Sequence, residues 1–181
     1  MYWGLWLLIF FVDNLLNSYL DTILVTESFL FKGSFENFSW SIVDMKRHVS
    51  KALHGKPDNW MIWGVNERFK WILKRLEGDE VFVYVTKGSD IDGGLALYGV
   101  ARGAATLSEK YWPKGEGWAA FYLKVKGAAP GVLEYPEDPK QWKLVPKGKL
   151  REAGIPLLPG PQKLKPEQAM VLKKMLTSLL T

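Results

Sequence analysis

The stretch Asn59-Trp60-Met61-Ile62-Trp63-Gly64-Val65-Asn66-Glu67-Arg68 sets the reading of this chain. It joins an apolar, strand-like run to a glycine and then to a helix start. Asn66 is a suitable N-cap, and Glu67 suits the positive end of a helix dipole. From Asn66 to Glu77, Phe69, Ile72, Leu73 and Leu76 recur at i, i+3, i+4 and i+7, which is one buried stripe. Arg68, Lys70, Lys74 and Arg75 lie off it, and Gly78 supplies a left-handed stop. An aromatic ring beside helix-borne positive charge suits a nucleobase and its phosphate. Taken by composition alone, Trp60 and Trp63 read as ordinary core residues, because tryptophan is highly buried on average.

Outward from that stretch, the chain alternates strand and helix signals. Met1–Val12 is almost wholly apolar, but Asp13, Asn14 and Asn17 interrupt it before the ~20 residues a membrane span needs. No basic segment precedes it as in a signal peptide. Tyr2–Leu20 is expected to be a helix packed on the body or a partner. Thr22–Thr26 and Ser28–Lys32 are strand candidates, and Ser41–Leu53 reads as a helix with Ile42, Met45, Val49 and Leu53 on one face. His48 and His54, the only histidines, are expected at the surface or at helix ends.

Glu80–Thr86 alternates as a strand, with Val81, Val83 and Val85 on one side and Phe82 and Tyr84 on the other. Leu95–Arg102 and Trp118–Lys126 are further strands, and Gly131–Tyr135 is a possible fourth. Gly99 suggests a bulge or a close backbone approach. Leu107–Gly117 reads as a polar loop exposing Tyr111-Trp112-Pro113, and 136–154 as irregular and basic. Prolines 156, 159 and 161 suggest an extended connector. Pro166 opens a last helix through Leu180, with Met170, Leu172, Met175, Leu176 and Leu179 packing inward. The order predicts an α+β fold, a small mixed β-barrel flanked by helices.

Composition narrows the chemistry. The 181 residues suffice for one domain with a substantial core. Hydrophobic content of 48% and charged content of 24% indicate a globular chain. A net charge of +5 permits a nucleic-acid partner without requiring one. With no cysteine there is no disulfide, thiolate nucleophile or Cys zinc site, and a cytoplasmic setting is expected. No P-loop, GxSxG elbow or Ser/His/Asp grouping occurs. Asp90 and Asp92 supply too few oxygens for a calcium site. Nothing points to catalysis, a cofactor or a metal. What stands out is aromatic and basic: nine tryptophans, several among lysines. Trp142, among Lys140 and Lys143, reads by itself as packing the barrel mouth.

Ile62-Trp63-Gly64-Val65 with the basic helix after it, Gly78-Asp79 before Val81–Val85, Tyr111-Trp112-Pro113 before a strand, and Lys165-Pro166-Glu167-Gln168 opening the final helix occur in order. From about Phe29 onward the chain thereby resembles the EVE and YTH domains of the PUA-like superfamily. The resemblance implies a nucleic-acid-recognition domain over 29–181 and leaves residues 1–28 outside it, as an N-terminal helical extension. It implies a reader with no enzymatic activity, holding a modified base in an aromatic cage. Trp63 and Trp112 would be cage walls and Trp118 a third, with Asn59 and Gly64 beside them. Trp40, Trp60 and Trp71 are left to the core. Arg68, Lys70, Arg102, Lys110, Lys114, Lys140 and Lys143 would contact the nucleic-acid backbone. The base would be flipped from methylated DNA, with N6-methyladenine favoured over 5-methylcytosine. A reader of modified RNA and a protein-interaction module are the alternatives. The chain is also similar to the N-terminal readers of archaeal McrB-type restriction GTPases, which implies a following AAA+ GTPase domain and a nuclease subunit as partners, and no membrane.

Overall fold

A computed structural model describes residues 26–107, 111–112 and 119–178. The expected N-terminal helix, the strand at 22–26 and the extension at 1–28 fall wholly or mostly outside these residues. Six strands form one mixed sheet: β1 (Ser28–Gly33), β2 (Trp60–Val65), β3 (Glu80–Val85), β4 (Gly94–Ala104), β5 (Ala119–Ala128) and β6 (Gln162–Leu164), in the order β2-β5-β4-β3-β1-β6. β1 runs parallel to β3, and the other pairs are antiparallel. β1 and β2 share no hydrogen-bonded ladder, yet Trp63 of β2 packs against Gly33 at the end of β1. The sheet therefore curls until the two strands meet, closing a partial barrel of α+β class.

β3 lies centrally, and both its faces are buried, so Val81, Phe82, Val83, Tyr84 and Val85 all enter the interior despite their alternation. Gly99 sits where the β4–β5 register shifts, and a Cβ there would stand 2.4 Å from the Lys124 carbonyl oxygen. It thus marks both a bulge and a close backbone approach.

Helix α1 (Phe35–Arg47) begins earlier than the periodicity suggests. The Ser34 hydroxyl accepts from the Asn37 N–H at 3.3 Å and caps the helix there. It ends at His48, whose φ of 49° is left-handed, so Val49 leaves the buried face and Leu53 enters on a separate 3₁₀ turn (Lys51–Leu53). The basic helix is a 3₁₀ helix, Glu67–Lys74, with Asn66 capping the Arg68 N–H. Ile72 and Leu76 are buried as expected, but Trp71 is 54% exposed on the opposite side, not in the core. Trp40 and Trp60 are half-buried, beside Tyr111 and Tyr122 respectively.

Three further expectations change. Gly131–Tyr135 is a turn entered with Gly131 at φ 87°, not a strand. The 136–154 region contains helix α2 (Lys147–Glu152), anchored by buried Leu150, and the connector after it contributes β6. Pro166 does open helix α3 (Pro166–Ser178), but Ala169, Leu172 and Leu176 face inward while Met170 is exposed. Among the described residues no helix is long and apolar enough to cross a membrane.

Tyr111 and Trp112 are not exposed. They join Leu53, Ile62, Ala105 and Ala120 in a second apolar cluster on the outer side of the sheet. The Tyr111 hydroxyl donates to Asp44 Oδ2 at 2.5 Å, and Trp112 Nε1 donates to Ser41 Oγ at 3.0 Å. Two neighbouring loop residues are thereby fastened to α1 through buried polar partners.

Candidate nucleic-acid interface

Where the partial barrel closes, four pieces of chain surround a cleft of about 270 Å³. The end of β1 gives Phe31 and Lys32, and the end of β2 gives Gly64 and Val65. The 3₁₀ helix start gives Asn66, Arg68 and Phe69, and the connector gives Pro159-Gly160-Pro161. Gly160 (φ 78°) lies so close to Phe69 that a Cβ would meet its Cζ at 2.4 Å. The Arg68 guanidinium carbon sits 4.6 Å from the Phe69 ring centroid. Asn66 Oδ1 is engaged by the Arg68 N–H at 3.1 Å, which fixes the amide and leaves its NH₂ uncommitted among the described residues. Lys32 Nζ reaches the Leu157 carbonyl at 3.5 Å across the cleft's edge. Aromatic surface, one oriented amide and two cations can hold a flat heterocycle and an attached phosphate.

The residues singled out in the sequence do not all come together. Gly64 and Arg68 line this cleft. Trp63 and Trp112 stand behind it. Successive residues of a strand face opposite ways, so Trp63 points into the barrel while Gly64 turns outward under the Trp112 ring. Trp63 is 3% and Trp112 5% exposed. The two rings thus lie on opposite faces of β2 and do not oppose each other across an open cage. Asn59 precedes the far end of β2, five residues from Gly64, and its Nδ2 donates to the Val125 carbonyl at 3.2 Å.

The remaining residues lie apart. Lys70 is exposed and pairs with Glu67 at 3.2 Å. Arg102 is exposed near the end of β4. Lys140 and Lys143 are exposed either side of Trp142, which is buried against Phe38 in an edge-on contact at 5.5 Å. Lys110, Lys114 and Trp118 lie outside the described residues. Sequence reasoning missed Phe31 and Gly160 and gave Asn66 and Phe69 only structural roles. The glycine between Pro159 and Pro161 was the available signal for a shaped wall. Among the described residues no three potential metal ligands cluster.

The curled mixed sheet, its closure by the β2–β1 contact and the proline-led last helix make an α+β partial barrel, a fold shared with solved structures. The structure is similar to the N-terminal domain of Thermococcus gammatolerans McrB bound to m5C DNA, at 19% identity and TM-score 0.50, over 86% of this chain and 100% of that one. It is similar at TM-score 0.52 and 16% identity to a hypothetical protein from Leishmania major, over 86% of this chain and 98% of that one. Human THYN1, solved with 5-methylcytosine-containing DNA, aligns at TM-score 0.48 and 17% identity over 83% of this chain and 98% of that one. No protein-family model and no curated protein matches the chain.

Proposed function

We propose that this chain is a non-catalytic reader of methylated DNA that takes one flipped base into the Lys32–Asn66–Arg68–Phe69 cleft. The observation that carries the reading is the cleft itself. Its volume of about 270 Å³ is room enough for a nucleobase, and its lining of ring, amide and cations suits a flat polar heterocycle. Duplex DNA must therefore extrude the base, at a cost of a few kcal/mol. Arg68 and Lys32 offset that cost through phosphate attraction, and the Asn66 amide meets the base edge. Trp63 and Trp112 serve by holding β1 and β2 in place around it. The similarity to a McrB domain solved with m5C DNA puts 5-methylcytosine ahead of N6-methyladenine. A McrB-type role, with a GTPase domain and nuclease as partners, accords with the same similarity.

The test is fluorescence-anisotropy binding to one duplex carrying cytosine, 5-methylcytosine or N6-methyladenine, with a matched methylated RNA. The wild-type chain should prefer methylated DNA. Asn66→Ala should reduce that preference about tenfold, the order expected for losing a base-edge contact. Equal binding to all duplexes, or a preference unaffected by Asn66→Ala and Arg68→Ala, rules this cleft out as the base site.

A further inference from the structure

A second cleft, of about 480 Å³, adjoins the first along the connector. Its lining is Lys147, Arg151, Gly154, Ile155, Pro156 and Leu157. Lys147 and Arg151 are four residues apart on α2 and so share one face. Buried Leu150 pins the helix from below, and Gly154 (φ 68°) turns the chain back beneath the two cations. Lys149, on a different face, is paired with Glu152 at 3.7 Å. Among the described residues neither Lys147 nor Arg151 has an acidic partner, and no carboxylate lines the cleft. Unneutralised cations over an apolar floor with no competing acid favour an anion that stays partly hydrated.

The position of this cleft says which anion. Leu157, on its wall, accepts from Lys32, which lines the base cleft, and Pro159 of that cleft is only two residues further on. Two residues of chain span at most ~7 Å. A nucleotide seated between Lys32 and Arg68 would bring its neighbouring phosphates to this second opening. Resting on the reading of the first cleft as a base site, we propose that Lys147 and Arg151 hold the phosphodiester backbone flanking the flipped base. These two residues, rather than Lys140 and Lys143, would be the chain's main backbone clamp outside the base cleft.

The experiment is the salt dependence of duplex binding, on methylated and unmethylated DNA, for the full wild-type chain, Lys147→Ala/Arg151→Ala, Arg151→Lys and Lys149→Ala. Each neutralised phosphate contributes ~0.9 to the slope of log affinity against log salt. The double variant should lower the slope by roughly 2 and weaken both duplexes by the same factor, leaving their ratio unchanged. Arg151→Lys should keep the wild-type slope, because only charge is required, and Lys149→Ala should match wild type. A wild-type slope in the double variant overturns the clamp while leaving the base site standing. Loss of methyl preference at an unchanged slope also overturns it. Wild-type binding with no methyl preference defeats the base site and, with it, the clamp.

Discussion

The Trp63 ring lies against Gly33 so closely that a Cβ on Gly33 would stand 2.4 Å from Cη2 and 2.7 Å from Cζ2. This contact bridges strands with no hydrogen-bonded ladder between them, and Phe38 of α1 completes it edge-on at 6.2 Å. Gly33→Ala must therefore push the indole or reopen the barrel. Overpacking of this kind costs ~1–3 kcal/mol. Urea unfolding should show it as a lower midpoint at unchanged m. Trp63→Phe alone should also destabilise, by leaving a cavity. The double variant should cost less than the sum of the two, because the smaller ring admits the new methyl. Strict additivity would mean the two residues do not restrain each other.

On the outer face, Asp44 is fully buried and accepts from three donors: the Tyr111 hydroxyl, the Ser50 N–H at 2.6 Å and the Ser50 hydroxyl at 2.7 Å. Burial, with the Asp44 hydrogen bond and charge reinforcing it, pushes the Tyr111 phenol well above its ordinary range, so it stays a neutral donor at any working pH. Tyr111→Phe removes that donor without changing the ring. The expected loss is ~1–3 kcal/mol, with tryptophan fluorescence altered because Trp112 sits 4.7 Å from Tyr111. A variant with wild-type stability and emission would show that the loop is held by packing alone.

The barrel's other end offers opposed pH responses. Burial raises the Asp79 carboxyl above its ordinary 3.8, although its Oδ1 accepts the Glu27 N–H at 2.9 Å. A raised folded value gives a contribution fully present below 3.8 that is lost as pH climbs through the folded pKa. Glu27 is lowered below its ordinary 4.5, chiefly by its hydrogen bond from Lys163. Its contribution is present above 4.5 and lost as pH falls through the folded pKa. Asp79→Asn keeps an acceptor for the Glu27 N–H while removing the buried charge. It should raise the urea midpoint at about pH 7, with the gain shrinking as wild-type Asp79 protonates. Glu27→Gln should lower the midpoint at that pH and converge on wild type in acid. Parallel pH profiles for variant and wild type would contradict either assignment.

Much of the fold could be read in the chain because local signals and burial agree there. β3 and β4 announce themselves through β-branched and aromatic runs, Gly99 through its placement inside one, and α3 through Pro166 at its start. The misjudged elements are those whose cue is a single capping or turn residue. Ser34 starts α1 ahead of the apolar periodicity, and Gly131 turns a strand-like run into a turn. The proposed cleft was legible as a neighbourhood and not as a geometry. Gly64 and Arg68 lie in the cleft, but which way a tryptophan points depends on the strand's closure against β1, a long-range contact that no local pattern carries. Phe31 and Gly160 are more than a hundred residues apart in sequence and meet only in the folded chain.

Gly160 is where the shape of the base cleft is most exposed to a single methyl group. Its φ of 78° is left-handed, and a Cβ there would meet the Phe69 ring that Arg68 also contacts. An alanine there faces both a backbone penalty of ~1–2 kcal/mol and a clash with the Phe69 ring, whose displacement would disturb its contact with Arg68. Gly160→Ala should therefore cost stability and, more tellingly, reduce preference for methylated over unmethylated DNA. Salt-dependent binding through Lys147 and Arg151 should persist, since the connector's anchor at Leu157 and Lys32 lies upstream. Measuring unfolding midpoint, methyl preference and salt slope on this one variant separates the three. A variant that loses stability yet keeps full preference would show that Phe69 and Gly160 shape the fold and not the base site.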